Sequence, residues 1–211
     1  MTFATDVLAL LLDPKTFFAD SSKTSSLKLP VLFTAIYAVV VAVVSAQASA
    51  ASAEMLGLGS MTGMMQGIGA VSGLIMTFIS WLVVALVFFV FIKFIAHTQS
   101  GFKPFLIATG YASLPLLIGA VLTLIVDMIA KGTFDGWMGF VLNLVILLWC
   151  IPIWAYGCAA AGNVPVSAVF TAILIPIILM IAFTAWGTYT NLEAMNNLQT
   201  GGLQVSMGPQ R

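Results

Sequence analysis

Long apolar runs, separated by short polar or glycine-rich links, dominate the pattern of this chain. Five of the runs are long enough to cross a hydrocarbon core, which takes about 20 helical residues. They extend from Pro30 to Ala53, Ile68 to Ala96, Pro104 to Ala130, Met138 to Ala161 and Pro165 to Gly187. We therefore predict an all-α integral membrane bundle of five transmembrane helices in residues 28–187, within one domain that spans residues 1–211.

A short amphipathic piece precedes the first run. Apolar residues at positions 3, 7, 10 and 11 recur at helical spacing, but the piece is too short to span. Proline disfavours helical dihedrals in the residue before it, so this helix should end at Asp13. Asp13 can then cap a second short helix that begins with Pro14 and presents Phe17 and Phe18. We expect residues 1–27 to lie flat in the headgroup region, the alternative being helices packed on the loops.

Composition supports a membrane location. The chain is 61% hydrophobic and 7% charged, with a mean hydropathy of +1.13, whereas soluble domains carry roughly 25% charged residues. So few charges cannot cover a soluble surface, which argues against a soluble enzyme. The formal net charge is zero, which argues against a nucleic-acid partner. The lipid bilayer is the first partner that the sequence predicts.

Basic residues are concentrated on one side of the predicted spans. Five lie in the N-terminal segment and around the link after the second span, and two lie on the other side. The five are Lys15, Lys23, Lys28, Lys93 and Lys103, and the two are Lys131 and Arg211. The positive-inside rule then places the N-terminus in the cytoplasm of a cell-membrane protein. With five spans, residues 188–211 form an external tail.

Candidate chemistry is sparse. The single histidine, His97, has no Cys, Ser or carboxylate at a spacing that completes a catalytic group. It follows Lys93 by four residues, which predicts a shared helix face near the cytoplasm. We find no metal-ligand cluster and no phosphate loop, so we expect no catalytic residue, metal or cofactor.

Two polar residues inside predicted spans are weaker candidates. An ionisable group such as Asp127 is a candidate proton or cation site, although an ion pair with Lys131 at i+4 explains it equally simply. Asn143 is expected to form a hydrogen bond between helices.

Three spans contain an internal proline: Pro115, Pro152 and Pro176. Proline removes a helical hydrogen bond and kinks the helix, so the third span should bend near Tyr111–Pro115. Such kinks line cavities in transporters, and they also occur in passive bundles. Because the mid-depth residues are mostly aliphatic or aromatic, we expect apolar side chains to close this bundle.

Small residues and aromatic residues give further expectations. Alanines at positions 42, 46 and 50 predict a close-packing face on the first span, and the glycine-rich stretch 57–73 is typical of a mobile outer link. Trp154 with Tyr156 should belong to the inner aromatic belt, and Trp186 with Tyr189 to the outer one.

With the spans placed, the chain resembles the Yip (Ypt-interacting protein) family of five-span membrane proteins. One matching segment, residues 13–18, reads Asp-Pro-Lys-Thr-Phe-Phe and precedes the first span. Another is residues 101–105, Gly-Phe-Lys-Pro-Phe, which leads into residues 110–115, Gly-Tyr-Ala-Ser-Leu-Pro. The resemblance makes seven residues family-motif candidates: Asp13, Pro14, Phe17, Phe18, Gly110, Tyr111 and Pro115.

The resemblance implies a non-enzymatic protein that acts through protein or lipid interactions, with a role in membrane organisation or trafficking. Eukaryotic relatives are associated with Rab-type GTPases, but this chain lacks their long cytosolic N-terminal region. It is more similar to the short prokaryotic members. A GTPase is therefore a weaker partner candidate than another membrane or cytosolic protein. The sequence leaves the oligomeric state open. The rival function is a small transporter or channel that uses the kinked helices and Asp127.

Overall fold

The computed structural model describes residues 3–130 and 136–206. These residues form α-helices connected by short links, with two 3-10 turns at Ser21–Thr24 and Gly59–Met61 and no strand in the described ranges. The helices are α1 Phe3–Leu12, α2 Pro14–Phe18, α3 Lys28–Met55, α4 Thr62–Ile95, α5 Phe102–Gly110, α6 Ser113–Ala130, α7 Gly136–Gly162 and α8 Val166–Ser206.

Five helical segments are long and apolar enough to cross a membrane. They are Lys28–Met55, Gly59–Ile95, Phe102–Val126, Gly139–Gly162 and Val166–Thr190. Large apolar side chains on them point outward, as at Val39 and Phe183, and hydrocarbon is the environment in which such a surface is stable. The predicted all-α bundle with five spans is confirmed.

The third span is interrupted where the sequence predicts a bend. Helix α5 ends at Gly110 and α6 begins at Ser113. Pro115 falls in the first turn of α6, where a backbone N–H has no partner within the helix, so proline costs little there. Gly110 lets neighbours approach the break closely, because a Cβ at this position would lie 2.7 Å from the Pro30 side chain.

The other two internal prolines do not end their helices. Helix α7 continues through Pro152, and α8 continues through Pro176 as far as Ser206. The segment after Gly187 therefore begins as a continuation of the last spanning helix.

Glycines of α4 pack against α3, which corrects the expectation of a mobile link over residues 57–73. A Cβ on Gly73 would lie 2.6 Å from the Ser45 hydroxyl oxygen and 3.2 Å from Ala42 Cα. Only residues 56–61 separate the two helices, and Gly57 makes the turn with a φ of +71°. Small residues are favoured at such interfaces because they let helix backbones approach. The predicted small face on α3 is confirmed at Ala42.

One end of the bundle carries both short N-terminal helices and the links that follow α4 and α7. We call it the α1 end. The two links are joined there, since the buried Thr98 hydroxyl donates a hydrogen bond to the Gly162 carbonyl at 2.7 Å. The shared helix face predicted for His97 and Lys93 is wrong. Helix α4 ends at Ile95, and His97 has the left-handed φ of +53°.

Candidate functional site at the α1 end

Helix α2 begins as the sequence predicts. Pro14 is its first residue, and the Asp13 carboxylate accepts hydrogen bonds from the Thr16 hydroxyl and, at 3.1 Å, from the Thr16 backbone N–H. These bonds, the hydroxyl foremost, stabilise the charged carboxylate and lower the pKa of Asp13, with a smaller contribution from Lys15. The cap fixes the direction in which α2 leaves α1.

Two aromatic side chains of α2 are buried against the broken third span. Phe17 and Phe18 are each only 4% exposed. Both pack edge-on against Tyr111, with ring centroids 5.1 and 5.5 Å away, a favoured aromatic geometry. The two motif segments of the sequence therefore meet in one cluster. The expectation that α2 presents Phe17 and Phe18 outward is wrong, because both rings are buried in an apolar site on the bundle.

Tyr111 connects this aromatic cluster to the polar N-terminal segment. Its ring is buried, and its hydroxyl donates to the Lys23 carbonyl at 3.1 Å. The Lys23 ammonium pairs with Asp6 at 2.9 Å and also lies 5.2 Å from the centre of the Phe17 ring. Lys23, in the segment between α2 and α3, thus holds α1 and α2 to the third span.

Helix α7 supplies two contacts that the sequence analysis missed. A Cβ on Gly157 would lie 2.9 Å from the Phe18 ring and 3.2 Å from Ala108 Cβ, so only glycine leaves room for the docked ring. The Trp149 indole N–H donates to the Leu11 carbonyl at 3.1 Å, which satisfies an acceptor at the end of α1. The run of small residues after Tyr156 was the available signal for close packing.

Helix α1 has two apolar faces with different environments. Leu10 is 1% exposed and belongs to the core, whereas Leu8 and Leu12 are 57% and 77% exposed. The helix therefore packs on the core of the bundle rather than on the loops, and still presents leucines outward.

The intramembrane polar candidates do not join this cluster. Asn143 donates to the Gly139 carbonyl of its own helix at 2.9 Å, so the predicted bond between helices is wrong. The side chain of Asp127 and the whole of Lys131 lie outside the described residues, and so does their predicted ion pair. Within the described ranges, His, Cys, Asp and Glu form no group of three that could hold a metal ion.

Cavities lie between the spanning helices. A cavity of about 470 Å³ lies among the spanning helices, and a smaller one of about 140 Å³ is lined in part by Asn143. Trp154, predicted for the inner aromatic belt, lines the larger cavity and is only 3% exposed. Trp186 and Tyr189, predicted for the outer belt, are exposed.

An apolar exterior on five spanning helices defines a multi-pass helical membrane protein. The sequence model of the Yip1 domain matches residues 8–187, a range that contains both motif segments. Because this match covers most of the chain, the protein belongs to the Yip1 domain family, and the resemblance seen in the sequence is confirmed. No curated protein and no solved structure matches the chain.

Proposed function

We propose that this protein is a non-enzymatic membrane protein that acts through other proteins or lipids, with the α1 end as its contact surface. The observation that carries the proposal is the convergence of both family motifs on one cluster that holds α1 to the bundle. That cluster is buried, so its role is to present what remains outside, the exposed Leu8 and Leu12 face of α1.

Charge supports a cytoplasmic position for this end. Exposed lysines surround it: Lys15, Lys28, Lys93 and Lys103. Such a group favours the cytoplasmic side and attracts anionic lipid, at about 1 kcal/mol per basic residue near the surface. The lysines and the exposed leucines together fit a headgroup layer or an amphipathic partner helix.

Site-specific photocrosslinking tests this surface. A benzophenone amino acid at Leu12 should give discrete protein adducts in native membranes, whereas the same group at Met55 should not give them. Met55 is a matched control, because Leu12 and Met55 are both 77% exposed and Met55 is the last residue of α3, at the end of that helix away from the α1 end. Mass spectrometry then assigns the adducts to a membrane protein, a GTPase or another cytosolic protein. The same adducts from both positions would contradict a specific α1-end surface.

A small transporter or channel is the second candidate, and the cavity between the helices favours it. A transporter needs a polar path near mid-depth, and the hydroxyl groups among the residues that line the cavity support this candidate. Flux of a solute in proteoliposomes that disappears in Asp127→Asn would establish this function. The absence of solute flux, together with adducts confined to Leu12, would favour the first proposal, a protein that acts through contacts with other proteins or lipids.

A further inference from the structure

Helices α1 and α2 are added to one end of the bundle only. Five segments of the chain are long enough to span a membrane, and α1 and α2 lie outside all of them. At the opposite end, α3 and α4 are joined by the short turn at residues 56–61, and no separate helix is added there in the part of the chain that the structure describes. The molecule is therefore enlarged by two helices at its α1 end.

Helix α1 is attached to the flank of the bundle. The indole N–H of Trp149 donates to the Leu11 carbonyl, and Trp149 is in the middle of α7, 13 residues before Gly162, the last residue of that helix. Helix α1 therefore lies beside the bundle and not beyond its end. Leu8 is on the side of α1 opposite the buried Leu10, so it points away from the bundle, toward lipid.

The outward face of α1 is apolar. Among the described side chains of α1, the exposed ones are Ala4, Thr5, Leu8 and Leu12. The only ionisable side chain of α1, Asp6, is instead paired with Lys23 at 2.9 Å, and these two side chains are only 17% and 15% exposed. An unpaired charge would be costly in contact with acyl chains, so this pairing makes the outward face compatible with lipid.

Charged residues next to α1 keep it near the headgroups. Asp13 and Lys15 follow α1 directly and are exposed, and Lys28 is exposed at the start of α3. Because exposed charges are costly inside hydrocarbon, this segment belongs at the boundary between headgroups and acyl chains, where amphipathic helices usually lie. A helix at this depth displaces lipid in one leaflet and not in the other.

We propose that α1 and α2 form a one-sided wedge, which makes the protein prefer curved membrane in which the leaflet on the α1 side is convex. An insertion that widens one leaflet is accommodated best where curvature already expands that leaflet, and amphipathic helices are curvature-sensitive. The partner of the Leu8 and Leu12 face is then the lipid of that leaflet. This inference rests on the proposed function of the α1 end, because it names what that end contacts.

Sorting between flat and curved membrane tests the proposal. The full protein is reconstituted into giant vesicles of phosphatidylcholine and phosphatidylglycerol, and a thin tube is pulled outward from each vesicle. Ser22→Cys, in a protein with Cys150 and Cys158 replaced by alanine, is labelled from outside with an impermeant fluorescent maleimide, so that only molecules whose α1 end faces outward are seen. Their density in the tube relative to the vesicle should exceed that of a lipid dye, and it should rise as the tube narrows.

The opposite orientation is an internal control. Ser60 is exposed in the turn between α3 and α4, so Ser60→Cys labelled from outside reports molecules whose α1 end faces inward. The inner leaflet of the tube is concave, so these molecules should be depleted from the tube. Equal enrichment of both orientations would contradict a wedge, because it would reflect affinity for the tube itself.

Two variants locate the wedge on α1. The double substitution Leu8→Gln and Leu12→Gln makes the outward face polar and should bring the sorting of both orientations to the level of the lipid dye. Met55→Gln makes the same kind of change at an equally exposed side chain at the other end of α3, and it should leave sorting unchanged. Both variants should keep the parent melting temperature, because none of these side chains belongs to the core.

Absence of sorting in the parent protein, or sorting that persists in the double leucine variant, would overturn the wedge. These vesicles contain no other protein, so such a result would not touch the proposed function if Leu12 still gave protein adducts in native membranes. Sorting without protein adducts would identify lipid as the contact of α1.

Discussion

At the scale of single residues, the docked segment depends on groups whose importance shows only in three dimensions. The sequence predicts the Asp13 cap because an N-cap depends on residues within one turn. It does not predict that Phe17 and Phe18 are buried, because their partners Tyr111 and Gly157 are far away in the chain. Local patterns carry no information about such distant contacts.

Gly157→Leu should displace the Phe18 ring, since even a Cβ there would lie 2.9 Å from it. We expect a loss of about 1–3 kcal/mol in the free energy of unfolding, the usual cost of overpacking. Thermal unfolding in detergent measures it. Gly187→Leu is the control, because nothing lies within 4 Å of a Cβ at Gly187. Equal stability of the two variants would contradict the docked position of Phe18.

Docking of α2 should weaken in acid. The pKa of Asp13 is lowered from 3.8 by its bonds with Thr16, so its stabilising effect is complete above that value. The effect is lost as pH falls through the lowered pKa of the folded state. Pepsin cleavage within residues 1–20 should therefore rise between about pH 4.5 and pH 2. Asp13→Asn should change less, since the Lys23–Asp6 pair is common to both proteins.

At the scale of elements, the length of the apolar runs predicted the spans well, whereas glycine content wrongly predicted a link over residues 57–73. A bilayer fixes how long an apolar helix must be, so runs of about 20 residues identify spans. Glycines at 63, 67, 69 and 73 read as a link because glycine disfavours isolated helices. In a membrane the backbone must still form its hydrogen bonds internally, which favours a helix. At Gly69 and Gly73 the absence of a side chain also lets α4 pack closely against α3.

Gly73→Leu should separate α3 from α4 and lower the melting temperature by several degrees. Its Cβ alone would clash with Ser45 and Ala42, and the interface has no room to repack. Gly67→Leu, six residues earlier on the same helix, meets nothing within 4 Å and should leave the melting temperature nearly unchanged. If Gly67→Leu were the more harmful substitution, the α3–α4 interface described here would be incorrect.

At the scale of the whole molecule, the number of spans follows from the sequence but the cavity does not. Each span is recognised from its own residues. The larger cavity instead takes its lining from six helices, α3 to α8, and most of its polar groups are common hydroxyls. Trp154 looked like a belt residue because position along a span says nothing about which way a side chain faces.

The orientation of the bundle is tested by cysteine labelling from either side of the membrane. Cysteines placed singly at Ser22 and Ser206, in a protein with Cys150 and Cys158 replaced by alanine, should react with an impermeant maleimide from opposite sides. The lysine asymmetry predicts that Ser22 faces the cytoplasm. Reaction of both positions from one side would rule out an odd number of spans.

The contact between Leu11 and Trp149 sets an order of assembly. These residues are 138 positions apart, and Gly157, which receives Phe18, comes later still. At about 5–20 residues per second, synthesis of the intervening chain takes roughly 7–30 s. During that time α1 and α2 are made but lack the contacts that α7 supplies, and only the contacts with Tyr111 of the third span can form earlier. Their attachment is therefore completed only after α7 is made, and a nascent chain stalled before α7 would hold this segment by its contacts with the third span alone.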